Sequence, residues 1–133
     1  MIFEIPLRTN SRTEFINITS QVHDAVVKSG VREGICLVYA PHTTAGLTIN
    51  ENADPDVTED IASSLEKLVP WKAGYEHTEG NSAAHIKSSI LGVSKQIIVN
   101  SGRLVLGTWQ GIFFVEFDGP RTRKVFIKVL SEK

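Results

Sequence analysis

From Gln96 to the C-terminus the chain leaves almost no room for helix. β-prone runs at Gln96–Val99, Leu104–Leu106, Ile112–Phe117 and Thr122–Leu130 follow one another, separated by turn-forming stretches such as Asn100-Ser101-Gly102-Arg103 and Asp118-Gly119-Pro120-Arg121. Strands joined by connections this short pair antiparallel. In the last run Val125, Ile127 and Val129 alternate with Lys124, Phe126 and Lys128, the period of a strand with one face in a core. Gly107-Thr108-Trp109-Gln110-Gly111 reads as a tight bend where another group comes close to the backbone. A β-rich C-terminal part of this kind restricts the fold to an antiparallel sheet or sandwich, and the upstream elements must cover it.

Those upstream elements are legible in order. Phe3–Leu7 and Glu14–Ile18 flank the polar stretch Arg8-Thr9-Asn10-Ser11-Arg12 and predict a hairpin. A first helix starts at Thr19, buries Val22, Ala25 and Val26, and stops at Gly30. Gly34–Ala40 is continuously apolar and predicts a central strand buried on both faces, and Leu47–Ile49 predicts a returning strand. Asp54 caps a second helix that opens on Pro55 and carries Val57, Ile61, Leu65 and Leu68 on one stripe. A third helix covers Ala83–Leu91, with Asn81 or Ser82 at its start and Gly92 at its end. On it Ala83, Ile86 and Ile90 form the expected core stripe, and His85, Ser88 and Ser89 the polar face. The sum is about eight strands and three helices in one α+β domain spanning 1–133, largely antiparallel.

Composition removes several function classes. With 133 residues, 41% hydrophobic, the chain can bury a single core without staples. Its 14 basic and 15 acidic residues are scattered and give a formal net charge of -1, which supplies no field for nucleic acid or an anionic membrane. The single cysteine, Cys36, lies among Ile35, Leu37 and Val38, so it reads as a buried, inert thiol in a reducing compartment. Met1-Ile2-Phe3-Glu4-Ile5-Pro6 has neither a basic start nor a long apolar stretch, and no apolar run approaches the roughly 20 residues of a membrane helix. A cytoplasmic protein without membrane partners is expected.

Chemistry concentrates in two stretches. His42 follows the buried strand, and Asn50, Glu51, Asn52 and Asp54 crowd the end of the next one; His77, Glu79, Asn81 and His85 surround the start of the third helix. Imidazoles in loops suit zinc, nickel, copper or iron, whereas the carboxylates suit magnesium or manganese. The spacing matches no standard zinc pattern, so a metal site and an acid–base role for the histidines both stay open. Lys87, Ser88, Ser89, Arg103 and the backbone N–H groups after Asn81 form a candidate phosphate-binding set.

Three blocks carry a resemblance. His42-Thr43-Thr44-Ala45-Gly46-Leu47-Thr48-Ile49-Asn50-Glu51-Asn52-Ala53-Asp54-Pro55, then His77-Thr78-Glu79-Gly80-Asn81 with Ala84-His85-Ile86-Lys87-Ser88-Ser89, and finally Gly102-Arg103-Leu104 with Leu106-Gly107-Thr108-Trp109-Gln110-Gly111-Ile112, resemble the YjbQ family. The resemblance implies an α+β homotrimer with sites in clefts where subunits meet, and an association with secondary thiamine-phosphate-synthase activity. In that reaction a thiazole phosphate nitrogen attacks the methylene carbon of a pyrimidine diphosphate and pyrophosphate leaves. It further implies a divalent metal near His77 and His85, with His42 as third ligand. The resulting expectation is a metal-assisted transferase acting on a small phosphorylated or heterocyclic metabolite. In it His42, Glu51 and Asp54 act in catalysis, and Asn50, Asn81, Lys87, Ser88, Ser89 and Arg103 hold the substrate. The ion is zinc or another histidine-bound metal, or magnesium with a diphosphate substrate. A non-catalytic trimeric module that binds a metal or metabolite is the rival expectation.

Overall fold

A computed structural model describes all 133 residues, Met1–Lys133. Eight strands and three helices form in the order β1 (Phe3–Arg8), β2 (Glu14–Asn17), α1 (Thr19–Ser29), β3 (Gly34–Tyr39), β4 (Ala45–Glu51), α2 (Pro55–Leu68), α3 (Ser82–Leu91), β5 (Ser94–Asn100), β6 (Arg103–Leu104), β7 (Gln110–Glu116) and β8 (Thr122–Ser131). The strands make a five-stranded sheet, β1-β8-β3-β5-β6, and a three-stranded sheet, β2-β7-β4. Every pairing is antiparallel. The α+β, antiparallel expectation therefore holds.

The main core lies between the two sheets. Ile5 of β1, Cys36 and Val38 of β3, Ile97 and Val99 of β5, and Val125 and Ile127 of β8 meet Ala45 and Leu47 of β4 and Ile112 and Phe114 of β7, with Val22, Ala25 and Val26 of α1 closing one side. A second, smaller core forms on the other face of the three-stranded sheet, where Phe113, Val115 and Phe117 pack against Leu65 of α2 and Ala84 of α3. β7 is thus buried on both faces from Gly111 onward. The layers run sheet, sheet, then α2 with α3, and α1 flanks the core.

Several expectations need correction. β1 and β2 do not form a hairpin, because β1 pairs with β8 and β2 with β7, in different sheets. The polar stretch between them is a crossover, anchored by fully buried Thr9, whose N–H donates to the Arg121 carbonyl at 2.9 Å and whose hydroxyl donates to Glu116 at 2.9 Å. β3 is central, but only one of its faces is covered: Cys36 and Val38 point inward while Ile35 and Tyr39 are each 43% exposed. The stripe predicted along α3 holds at Ala83 but fails at Ile86 and Ile90, and Ser88 of the expected polar face is buried. Ala83, Ala84, Lys87 and Ser88 are buried, and Ile86 and Ile90 face out. The reason is distance: a Cβ on Gly46 of β4 would stand 2.9 Å from the Gly92 carbonyl and 3.2 Å from the Leu91 Cβ. Helix and strand approach so closely that only small side chains fit between them.

The turn after β5 forms as its residues require. Asn100 pairs with Arg103, and both central residues have positive φ, 52° at Ser101 and 76° at Gly102, the geometry of a two-residue hairpin turn that matches strand twist. At Gly111 a Cβ would meet the Asn52 side chain at 2.6 Å, so the bend at 107–111 is indeed where another group reaches the backbone.

Candidate functional site

The chain after α2 folds back to deliver a histidine to α3. Tyr75 donates its hydroxyl hydrogen to the Pro70 carbonyl at 2.7 Å, Arg12 lies 4.4 Å over the Trp71 ring, and the Gly80 N–H donates to the His77 carbonyl at 3.2 Å, closing a turn with Gly80 at φ 77°. That turn sets His77 beside His85 in the first turn of α3, ring centroids 5.4 Å apart and planes at 83°. Glu79 Oε1 stands 3.9 Å from His77 Nε2. The two imidazoles open into a cleft of about 440 Å³ that is also lined by Tyr75, Glu76, Ser82 and Ile86. Two adjacent rings, one carboxylate nearby and the positive pole of a helix suit electron-pair donation to an ion, or anion capture beside it.

Nothing else in one chain completes a ligand set, since no three His, Cys, Asp or Glu side chains converge. His42 does not join the pair. Its Nε2 sits 2.9 Å from the Lys124 carbonyl and 3.2 Å from the Lys124 N–H, and its ring stands edge-on to Phe114 with centroids 6.1 Å apart. Burial, with the backbone bond opposing it, pushes the His42 ring below its ordinary pKa, so it is held neutral.

Asn81, at the N-cap of α3, is buried and donates through Nδ2 to Asp118 Oδ2 at 2.9 Å; its Oδ1 is a buried side-chain atom with no partner. Asp118 also accepts from the Arg121 guanidinium at 2.8 Å, which raises the Arg121 pKa and fixes a cation at this end of the molecule. In the sequence Asp118 and Arg121 read as turn residues only. Their signal is weak there, because a polar turn looks the same whether or not it abuts a helix start.

The residues read as phosphate holders are dispersed. Lys87 is 3% exposed and bonds Glu66 at 2.5 Å, lowering that carboxyl's pKa. Ser88 donates to the Ala45 carbonyl at 2.6 Å in the interior, and Ser89 donates back to the His85 carbonyl at 3.0 Å. These three side chains are engaged within the fold, and Arg103 stands apart from them on β6, at the edge of the other sheet.

The acidic group lies at the far end of β4. Asn50 Oδ1 accepts from the Glu51 N–H at 2.7 Å, Glu51 Oε2 from the Ala53 N–H at 3.0 Å, and Asp54 Oδ1 from the Asp56 N–H at 2.9 Å, the last being the helix cap expected from sequence. The Asn52 N–H donates to the Trp109 carbonyl at 2.9 Å, bringing exposed Trp109 to the same place. Ala45, under Ser88, and Glu51 are the two ends of β4. At the rise of a strand they are about 20 Å apart. A single chain therefore carries two half-equipped ends, one with the histidine pair and one with the carboxylates.

A buried ion pair tightens the histidine end. Glu116 accepts from Arg123 Nε at 2.8 Å and from its terminal nitrogen at 2.5 Å, and Arg123 also donates to the Thr44 hydroxyl at 2.8 Å. Burial would raise the Glu116 carboxyl, but the bonds from Arg123, the Asp118 N–H and Thr9 outweigh it and hold it below its ordinary value. Arg123 shares the inward parity of Val125 and Ile127, and Glu116 interrupts an apolar strand; together those two oddities are the readable sign of this pair.

Fold and site together define a class: single-domain α+β proteins of two antiparallel sheets that present a histidine pair at the start of a surface helix. The family described as UPF0047 protein YjbQ-like matches residues 3–132. The chain belongs to this YjbQ family. It is 51% identical over 133 residues to a UPF0047 protein of Methanocaldococcus jannaschii, covering 100% of this chain and 96% of the relative, and 50% identical over 132 residues to UPF0047 protein YugU of Bacillus subtilis, covering 98% and 100%. Its structure superposes with a TM-score of 0.95 on an uncharacterised YjbQ/UPF0047 protein of Clostridium acetobutylicum, at 58% identity and 96% and 99% coverage. With a YbjQ-like protein of unknown function from Sulfolobus solfataricus the TM-score is 0.96, at 36% identity and 99% and 97% coverage. None of these relatives' names states an activity. No helix is long and apolar enough to cross a membrane.

Proposed function

We propose that the chain is a metal-assisted enzyme acting on a small phosphorylated or heterocyclic metabolite, with His77 and His85 as metal ligands. The observation that carries this reading is the pair of imidazoles, 5.4 Å apart and open to a cleft of about 440 Å³. Two nitrogen donors fit a zinc-type ion and leave positions for a further ligand and for substrate. His42 stands apart from the pair in its own chain, so it would serve as third ligand or base only in a site completed by a neighbouring copy, and then through Nδ1, because Lys124 engages Nε2. A divalent ion bound there supplies Lewis acidity toward an anionic leaving group.

The specific reaction proposed, the one that the family resemblance implies, joins a thiazole phosphate to a pyrimidine methylene with loss of pyrophosphate. Departure of pyrophosphate develops negative charge, which the α3 N-terminus and, beyond its pairing with Asp118, Arg121 would stabilise. Glu79, 3.9 Å from His77 Nε2, adds negative charge beside the pair. Glu51 and Asp54, with Asn50, orient the substrate from a neighbouring copy, since in their own chain they lie at the other end of β4.

A cyclic homotrimer supplies that neighbour. Leu130, Ile35 and Ile98 are cross-strand neighbours on the uncovered face of the five-stranded sheet, with 51%, 43% and 62% of their surface exposed. Ile86 and Ile90 stand exposed beside His85, and Trp109 beside Glu51. Uncovered apolar groups adjoining both half-sites suit a repeated head-to-tail contact that closes into a ring.

The test combines elemental analysis, light scattering and turnover of the pyrimidine diphosphate and thiazole phosphate pair. Wild type is expected to bind a stoichiometric divalent metal and form product, and His85→Ala to lose both while remaining trimeric. Full turnover in His85→Ala sinks the enzymatic reading. Stoichiometric metal with no product from wild type would instead favour a non-catalytic binding module, a reading that the openness of the cleft and exposed His77 support.

A further inference from the structure

Away from the histidine pair, a polar crevice runs between α1 and the β5–β6 hairpin. It consists of two adjoining hollows of about 500 and 330 Å³, and His23 and Arg103 line both. Arg32 lines the second, with its guanidinium 3.4 Å from where a Cβ on Gly102 would be. The hairpin is fixed against the segment following α1 by the Gly102 N–H, which donates to the Arg32 carbonyl at 2.9 Å.

The crevice is unbalanced in charge. Glu33 stands beside the second hollow, its carboxylate accepting from the Ser101 N–H at 3.0 Å, but no acidic side chain lines either hollow and neither arginine is in an ion pair, although the chain as a whole carries a net charge of -1. Ser20 lies at its edge in the first turn of α1, an eleven-residue helix with no acid in that turn, whose Thr19 N–H donates to the Asn17 side-chain carbonyl at 3.0 Å. No acid in the first turn offsets the positive end of the helix dipole, which faces the hollow that Arg103 lines, whereas Arg32 follows the other end of the helix. Leu104 and Leu106 give the larger hollow an apolar wall.

We infer that this crevice is a second anion-binding site, separate from the histidine cleft, which takes a compact phosphate or diphosphate ester with its phosphate against Arg103, Arg32 and His23 and its organic part against Leu104 and Leu106. Guanidinium forks hold phosphate oxygens in paired bonds, and a hollow of this size holds a small metabolite. The geometry that argues for separateness is topological. Arg103 sits on β6 at the edge of the five-stranded sheet, and His77 and His85 lie beyond the three-stranded sheet on the helical layer.

Inorganic pyrophosphate titrated into the isotope-labelled full chain and followed by amide NMR tests this. Saturable shifts are expected at residues 19–23 and 101–104. Arg103→Ala is expected to weaken binding by about tenfold or more, the loss of a charge-assisted pair, and His85→Ala to leave it unchanged. Arg103 is exposed and has no side-chain partner, so its loss leaves the fold intact, which the thermal melt of the variant verifies. Wild-type affinity in Arg103→Ala, or shifts confined to 77–86 and abolished by His85→Ala, overturns the inference.

Discussion

Glu116 shows how much depends on a single side chain in this molecule. It is fully buried on β7, yet it accepts bonds from Arg123, Thr9 and two backbone N–H groups, so the charge is satisfied from every side. Removing the acid while leaving the buried guanidinium costs far more than the pair contributes, about 3–5 kcal/mol. Glu116→Ala is expected to lower the urea midpoint accordingly. The pH dependence has a definite sign. The folded carboxyl is depressed, so its contribution is present above the unfolded carboxylate value of about 4.3 and is lost as pH falls through the depressed one. Stability measured at pH 7, 5 and 3 should therefore show the gap between wild type and Glu116→Gln shrinking only at the acid end. A gap that is constant across that range refutes the account. Cys36 is the opposite case, a titratable group that bonds to nothing and serves only as packing. Burial pushes its thiol up to about 11, and it should resist thiol reagents at neutral pH until the protein unfolds.

At the scale of elements, the seat of α3 on β4 decides where His85 points. Contact is set by Gly46 against Gly92 and Leu91 and by the Ser88 bond to the Ala45 carbonyl. Gly46→Ala forces strand and helix apart by a few tenths of an ångström and is expected to cost about 1–3 kcal/mol and, if His77 and His85 hold the proposed metal, to bring a parallel loss of metal affinity measurable by chelator competition. Unchanged affinity in a destabilised variant would show that the histidine pair does not depend on that seat. The same helix shows what a sequence conceals. The eight strands are readable because alternation and turn residues act locally, as at Lys124–Val129 and at Ser101-Gly102. Their pairing is not, because Arg8–Arg12 looks alike as a hairpin turn and as a crossover, and only the remote Thr9 bonds to Glu116 and Arg121 distinguish them. The face of α3 misleads for a related reason: Ile86 and Ile90 are apolar and Lys87 is charged, but close approach to β4 admits Ala84 and Ser88 and turns the isoleucines outward. Of the candidate site, the closeness of His77 and His85 is expected from sequence, whereas the dispersal of Lys87, Ser88, Ser89 and Arg103 follows only from the tertiary fold.

At the scale of the whole molecule, uncovered Ile35, Ile98 and Leu130 pose a solubility problem that a second copy would solve. Ile98→Asp together with Leu130→Asp places charge in the middle of that face and is expected to leave a folded monomer, seen by light scattering, with unchanged strand content. Assembly also bears directly on chemistry. If the histidine end of one copy meets the carboxylate end of the next, then His85→Ala and Glu51→Ala each spoil every site in their own homotrimer, yet spoil different halves. Co-refolding the two dead variants in equal amounts creates interfaces in which an intact histidine pair from one faces an intact Glu51 from the other. Random mixing around a closed ring makes about one interface in four fully equipped, so activity should return to about a quarter of wild type. No recovery in mixed trimers of proven composition would place both halves of the chemistry within one chain, against the distance that β4 imposes between them.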